Sequence, residues 1–161
     1  MNSLDVFEEK QKFKQIWIWL ILLGINGQFV FAIIYQVVYG NSYGNNPLSD
    51  SGLVIGAIAS LAFTLLFLSL QLQTRIDSEG IFVRFFPFQK KYRTYKWEDI
   101  SKVYIRQYKP IREFGGWGIR MGAYNVSGTT GLQIELKDGT KFLIGTNKAE
   151  ELEAVLRRLN L

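Results

Sequence analysis

The segment from Tyr108 to Arg120 has the most distinctive combination of side chains in this sequence, because aromatic, basic and glycine residues alternate along it. Glycines beside Phe114 and Trp117 allow the backbone to approach another surface closely, which is typical of a binding loop. The same glycines can instead bend a strand so that the aromatic rings pack into a core. The sequence leaves both interpretations open. The candidate binding residues are Tyr108, Lys109, Arg112, Phe114, Trp117 and Arg120.

The composition excludes most kinds of catalytic site. The chain has no histidine and no cysteine, so His- and Cys-dependent triads, thiol chemistry and the common zinc sites are excluded. Glu98 and Asp99 are adjacent, so on a strand they point to opposite faces and do not flank a substrate. Glu113 stands between Arg112 and Arg120, which predicts a surface ion pair.

The glycines of this segment do not match a nucleotide-binding motif. Gly116 and Gly118 are followed by Met121 where a dinucleotide fingerprint needs its third glycine, and no helical pattern follows. We therefore expect no cofactor and no metal.

A second group of candidate residues is basic. Residues 72–120 hold 11 Lys and Arg against 5 Asp and Glu. This excess fits contact with anionic lipid headgroups, although ordinary solvated charge explains it equally well. A nucleic-acid surface is the weaker interpretation, because a domain tethered at a membrane meets lipid first. The candidate headgroup contacts are Arg84, Lys90, Lys91 and Arg93.

Two uncharged runs must position these residues. Ile16–Tyr39 and Gly52–Leu70 contain no Lys, Arg, Asp or Glu, and as helices they reach about 36 and 28 Å against a hydrocarbon core of about 30 Å. They predict a transmembrane hairpin over residues 16–71. Neither uncharged run places an Asp, Glu, Lys or Arg inside the membrane, which argues against an ion pathway.

The flanking charges predict the orientation. Lysines precede the first run and basic residues follow the second, whereas the intervening loop has only Asp50. By the positive-inside rule both termini lie in the cytoplasm, which predicts a multi-pass protein of the inner membrane. Small residues at a spacing of four in the second run, with two glycines in the first, predict close helix packing. These residues are Gly24, Gly27, Gly52, Gly56, Ser60 and Thr64.

The rest of the chain divides into a short N-terminal segment and a domain. Residues 1–15 are polar, and the spacing of Phe7, Lys10 and Lys14 predicts an interfacial helical turn. Residues 72–161 alternate with period two around glycine turns and end in an amphipathic helix that Asn147 is expected to cap. This pattern predicts an α+β cytoplasmic domain, in which a curved antiparallel sheet or barrel is plugged by the helix.

Three stretches, Tyr95–Ile100, Gly115–Arg120 and Asp138–Thr146, resemble the bacterial pleckstrin-homology-like (PH-like) membrane proteins with two N-terminal transmembrane helices. The resemblance implies a PH-like antiparallel barrel or sandwich of about seven strands with a C-terminal helix. It also implies a scaffold for binding and assembly, with no shared catalytic residues.

Together these patterns favour a non-catalytic, membrane-anchored binding module. Its expected partners are membrane lipids and a membrane protein or a second copy of the chain, and not nucleic acid. The alternative is an enzyme with a pocket between domain and bilayer, formed by Arg112, Glu113 and Arg120.

Overall fold

The computed structural model of the chain describes residues 6–120 and 122–160, with Arg120 described by its backbone. The chain forms two compact units. One combines Met1–Phe13 with Leu70–Leu161, and the other is Lys14–Ser69.

The second unit is a pair of long helices. Helix α1 spans Ile16–Ile33 and continues as a π-helix over Ile34–Val38, and α2 spans Asp50–Ser69. Their mean hydropathy values of 2.0 and 2.2 reflect almost uninterrupted apolar sequence. Within the described residues, both helices are long and apolar enough to cross a membrane. The prediction of two long apolar helices is therefore confirmed, with α2 beginning slightly earlier than expected.

The first unit contains two separate β-sheets. The first sheet has the order β1-β2-β3-β4 and is antiparallel throughout. The predicted tight turn between β2 and β3 is confirmed, and Gly80 adopts a φ of +155° where a Cβ would collide with the carbonyl of Tyr95. The strands are β1 (Phe7–Lys12), β2 (Gln71–Asp77), β3 (Gly80–Phe86) and β4 (Arg93–Lys96).

Strand β1 lies before the helices in the chain, yet it pairs with β2 along its whole length. The register runs from Phe7 opposite Ile76 to Lys12 opposite Gln71. The prediction of an interfacial helical turn in this segment is therefore wrong. The two apolar helices are inserted in the chain between neighbouring strands of one sheet.

Polar side chains hold the buried face of β1. Glu9 accepts hydrogen bonds from the hydroxyl of Thr146 at 2.7 Å and from the backbone N–H of Asn147 at 2.9 Å. Gln11 Nε2 donates to the carbonyl of Gly145 at 2.6 Å. Because these groups are buried, each hydrogen bond replaces one that water would otherwise make. They connect the start of the domain to its end.

The second sheet has the order β5-β8-β9-β7-β6. The predicted hairpin around Asp138 and Gly139 is confirmed as β8 and β9. The sheets do not close into a barrel, and β7 pairs in parallel with β9, so an entirely antiparallel barrel is not formed. With β1, β6 and β7, the described residues contain nine strands rather than about seven. The strands of the second sheet are β5 (Ile100–Gln107), β6 (Gly118–Arg120), β7 (Ala123–Asn125), β8 (Thr130–Leu136) and β9 (Lys141–Gly145).

Two helices complete the first unit, namely a short α3 (Pro110–Phe114) and the C-terminal α4 (Ala149–Arg158). Leu152, Val155 and Leu156 of α4 are buried, which confirms the predicted amphipathic helix and the α+β class. Asn147 does not cap it. The helix begins after Lys148 without a side-chain cap, and the Asn147 amide instead donates to Ser127 Oγ at 2.9 Å.

Candidate functional site

The 108–120 segment packs against the second sheet. Tyr108 forms a small buried cluster with Ala123 and Leu143, and the half-buried Phe114 packs against this cluster. The rings of Tyr108 and Phe114 meet edge to face at 5.8 Å. Gly115 then ends α3 in the left-handed conformation at a φ of +68°, which glycine adopts without strain. The aromatic residues at the start of the segment therefore contribute to packing.

A charged residue that the sequence analysis did not single out ties α3 to the sheet. Arg106 on β5 forms an ion pair with Glu113 at 2.8 Å and donates from Nε to Gln133 at 2.9 Å. The backbone N–H of Lys109, and then Arg106, hold the pKa of Glu113 below its ordinary value. The sequence alone does not indicate this ion pair, because Arg106 and Glu113 meet only when α3 folds back onto β5.

Two residues of the enzyme alternative, Arg112 and Glu113, have described side chains, and these do not share a pocket. Glu113 pairs with Arg106, whereas Arg112 is exposed; the side chain of Arg120 lies outside the described part. A groove of about 530 Å³ beside Glu113 is polar, but its charges pair with one another. Arg106 meets Glu113 at 2.8 Å, and Lys141 meets Glu135 at 3.0 Å. Mutually satisfied ion pairs of this kind are typical of a structural network.

Trp117 occupies an intermediate position. Its side chain is half-buried, and its Nε1 is buried without a hydrogen-bond acceptor among the described residues. The next residue, Gly118, donates its backbone N–H to Asn125 Oδ1 at 2.9 Å. The end of the segment is thus fixed to β7, and its outward-facing residues are Ile111, Arg112 and Ile119.

The basic residues of the first sheet are divided between two roles. Arg84 is half-buried and holds the turn between β3 and β4. Its Nε donates to Gln73 at 2.7 Å, its Nη1 donates to the carbonyl of Lys90 at 2.9 Å, and its guanidinium lies 4.3 Å from the ring centroid of Tyr92. Because these contacts fix its side chain, Arg84 positions the turn.

Lys90 and Lys91 are exposed on the turn that Arg84 holds, and neither has an ion pair in the described part of the chain. Phe88 beside them is 65% exposed and stacks on the buried Phe85 at 6.3 Å. Phe85 in turn meets Phe13, which follows β1, at 6.3 Å. An exposed aromatic ring supported by a buried one, next to two lysines, suits a surface that contacts lipid.

Strand register brings two further lysines to the same end of the sheet. Residues directly opposite each other on antiparallel strands share a face. Lys12 lies opposite Gln71, which lies opposite Phe86, and the next row on the same face contains Lys10, Gln73 and Arg84. We call this end, with Lys10, Lys12, Phe88, Lys90 and Lys91, the basic end. The sequence analysis missed Lys10 and Lys12 as site residues because their strand was not recognised.

Acidic residues lie at the opposite end of the first sheet. Asp77 ends β2, Glu79 lies in the turn between β2 and β3, and Glu98 and Asp99 follow β4. The segments that build the basic end, residues 10–13, 70–73 and 84–92, contain no carboxylate. The first sheet is therefore polarised in charge along its strands.

Arg93 lies apart from the basic end. It is paired with Val83 at the start of β4, and its guanidinium is close enough to the hydroxyls of Tyr95 and Tyr124 for both to raise its pKa. Of the four predicted headgroup contacts, Lys90 and Lys91 are exposed at one site, Arg84 supports them, and Arg93 lines a separate cleft.

In the helical pair, Gly56 faces a phenyl ring. A Cβ built at Gly56 would lie 2.5 Å from Cε1 of Phe29, so glycine allows this ring to approach α2. Asn26 Nδ2 also donates to the hydroxyl of Thr64 at 2.9 Å. Gly24 and Gly27, expected to form a matching flat patch, have no atom within 4 Å of a Cβ built on them.

The other two small residues of α2 make local hydrogen bonds. The N–H of Gly52 donates to Ser49 Oγ at 3.2 Å, and the carbonyl of Ser60 accepts from the hydroxyl of Thr64 at 2.9 Å. Of the small residues predicted to line one face of α2, Gly56 and Thr64 therefore contact α1, whereas Gly52 and Ser60 make hydrogen bonds close by in the chain.

No protein-family model matches this chain, and no curated protein matches it. The PH-like resemblance accordingly stays a prediction. Within the described residues, no group of three or more Asp and Glu side chains is placed to hold a metal ion.

Proposed function

We propose that this protein is a non-catalytic membrane-anchored binding module whose basic end contacts anionic lipid headgroups at the cytoplasmic surface. The observation that carries the proposal is the position of the basic end in the chain. Residues 13–15 alone separate β1 from α1, and residue 70 alone separates α2 from β2. Helices that cross a bilayer therefore keep this end of the sheet next to its surface.

The pairing of β1 with β2 supports a hairpin that crosses the membrane twice. Both strands belong to one sheet, so the chain before α1 and the chain after α2 are on the same side. The lysines of the basic end favour the cytoplasmic side by the positive-inside rule.

Attraction to an anionic surface contributes about 1 kcal/mol for each basic residue close to it. Lys90 and Lys91 together then contribute about 2 kcal/mol, or roughly a 30-fold shift in the equilibrium between contact and separation. The carboxylates lie at the other end of the sheet, so they do not oppose this attraction at close range.

A label at the basic end tests the contact. Because the chain has no cysteine, Phe88→Cys accepts a single environment-sensitive fluorophore in the full-length protein reconstituted into nanodiscs. We expect anionic phosphatidylglycerol to protect this label from an aqueous quencher more than neutral phosphatidylcholine does. High salt, or the pair Lys90→Gln and Lys91→Gln, should remove the difference.

Glu79→Cys is the matched control, because Glu79 is exposed at the acidic end of the same sheet. Its label should respond equally to both lipids. Equal quenching at Phe88→Cys and Glu79→Cys in every lipid would overturn the proposed headgroup contact.

Orientation has its own test. An impermeant maleimide should label Ser42→Cys in intact cells and label Lys137→Cys only after permeabilisation, since Ser42 lies between the helices and Lys137 lies in the domain. Labelling of Lys137→Cys in intact cells would contradict the cytoplasmic location of the domain.

A further inference from the structure

The two sheets leave an open cleft where they fail to close. β4 is an edge strand of the first sheet, and β6, which pairs with β7, is an edge strand of the second. A cleft of about 270 Å³ opens between β4 and the β6, β7 and β9 strands.

The polar wall of this cleft is cationic. Among the described residues, its lining includes Arg93 and Lys141 and no carboxylate. Lys141 is neutralised by Glu135 at 3.0 Å, whereas Arg93 has no ion pair in the described part of the chain. The cleft therefore contains one uncompensated guanidinium, a group that binds oxyanions through parallel N–H donors.

Two tyrosine hydroxyls stand beside this guanidinium. Tyr95 and Tyr124 line the cleft with Arg93, and Tyr124 is the larger cause of the raised pKa of Arg93. Burial raises the pKa of Tyr95 above its ordinary value, so at neutral pH this hydroxyl keeps its proton and can donate. Arginine and hydroxyl donors together suit a phosphate, which has several acceptor oxygens.

The remaining wall is apolar. Ile119 is 44% exposed at the cleft, and the ring of Phe142 packs on Tyr95 with centroids 4.3 Å apart. A ligand that fills the cleft thus pairs its anionic group with Arg93 and places an apolar body against Ile119 and Phe142.

We infer that this cleft binds a phosphate ester carried on a small apolar body, with Arg93 and the hydroxyls of Tyr95 and Tyr124 holding the phosphate. The source is either a phospholipid headgroup or a soluble phosphate ester. The inference extends the proposed headgroup contact to a defined site, and it rests on that contact only for the lipid source.

Full-length protein in phosphatidylcholine nanodiscs provides the test. Phenyl phosphate, a phosphate monoester on a small apolar ring, is titrated as the soluble probe, and phosphatidic acid is incorporated as the lipid probe, with phosphatidylglycerol as the control for general negative charge. Binding is followed by the fluorescence of a label at Lys137→Cys, an exposed position three residues before Thr140, which lines the cleft. We expect saturable binding of one probe, weakened about tenfold or more by Arg93→Gln because a charge-assisted pair is lost. Tyr95→Phe, which removes one hydroxyl and keeps the ring, should weaken it severalfold.

Lys96→Gln is the matched control, since it removes the same charge from an exposed position of the same strand. Binding by phenyl phosphate alone identifies a soluble ligand, and binding by phosphatidic acid alone identifies a lipid. If neither probe binds, or if Lys96→Gln and Arg93→Gln weaken binding equally, the inference is overturned. Replacing Lys90 and Lys91 by Gln should leave the affinity for phenyl phosphate unchanged, which separates this site from the basic end.

Discussion

Phe7→Ala tests whether the chain before the helices is part of the folded domain. Phe7 is fully buried on β1, and truncating a buried phenylalanine costs about 3–5 kcal/mol through lost burial and the cavity left behind. For a domain of this size, a loss of about 4 kcal/mol lowers Tm by roughly 16–32 °C. A substitution before the helices is therefore expected to destabilise the whole domain, although all of its other strands follow the helices in the sequence.

The assay is thermal unfolding of the full-length protein in detergent, followed by the loss of β-sheet circular dichroism. Lys10→Ala is the control on the same strand, because Lys10 is exposed and surface substitutions usually change stability by less than about 0.5 kcal/mol. Glu9→Gln should fall between the two, because it weakens the hydrogen bonds to Thr146 and Asn147 while keeping the volume. If Phe7→Ala melts with the unchanged protein, β1 is not part of the domain and the interfacial turn suggested by the sequence is correct.

The helical pair and the acid response of α3 give two further expectations. Gly56→Leu should lower the thermal stability of the helices in detergent, because a side chain at this position meets the ring of Phe29. The control Ala59→Leu changes an exposed position of the same helix and should not lower it. Equal effects of the two substitutions would show that the Phe29 contact does not matter. The pKa of Glu113 is lowered from its ordinary value of 4.5, so the ion pair with Arg106 stabilises α3 fully at pH values above 4.5. This contribution is lost as the pH falls through the lowered pKa of the folded state. Protection of the amides of residues 109–115 against hydrogen exchange, measured relative to the intrinsic exchange rate at each pH, should therefore fall in acid, and Glu113→Gln should remove that pH dependence. An unchanged fall in protection in Glu113→Gln would assign it to another group.

The elements that the sequence predicted are those whose signals are local. A long uncharged run identifies each apolar helix, period-two alternation around Gly80 and Gly139 identifies two hairpins, and the apolar stripe of α4 identifies the last helix. Each of these depends on residues close together in the chain. They are also enough to predict the α+β class.

The elements that were missed depend on distant partners. β1 does alternate, but Glu9 and Gln11 lie on its buried face, so hydropathy gives no strand signal. Their burial is favourable because Gly145, Thr146 and Asn147 supply hydrogen-bond partners from the other end of the chain.

The candidate site was missed in part for the same reason. Lys90 and Lys91 were recognised from composition, but the contribution of Lys10 and Lys12 depends on the register between β1 and β2. Likewise, Glu113 pairs with Arg106 because α3 folds back onto β5. The sequence suggested Arg112 and Arg120 as its partners only because they are close to it in the chain. Local patterns thus predicted the kinds of residue involved, and long-range pairing decided which of them lie together.

Insertion of the helices between paired strands also links folding of the domain to formation of the helical pair. Residues 13–70 form the loop that must close before β1 can pair with β2, and for a flexible chain of that length the closure costs about 3–4 kcal/mol beyond a constant. Two antiparallel helices in contact, with Asn26 bonded to Thr64, hold the ends of this loop together. The helices therefore reduce the loss of chain entropy that accompanies the pairing of β1 with β2. Because β1 carries both Phe7 and Glu9, the domain core is completed only when the loop is closed.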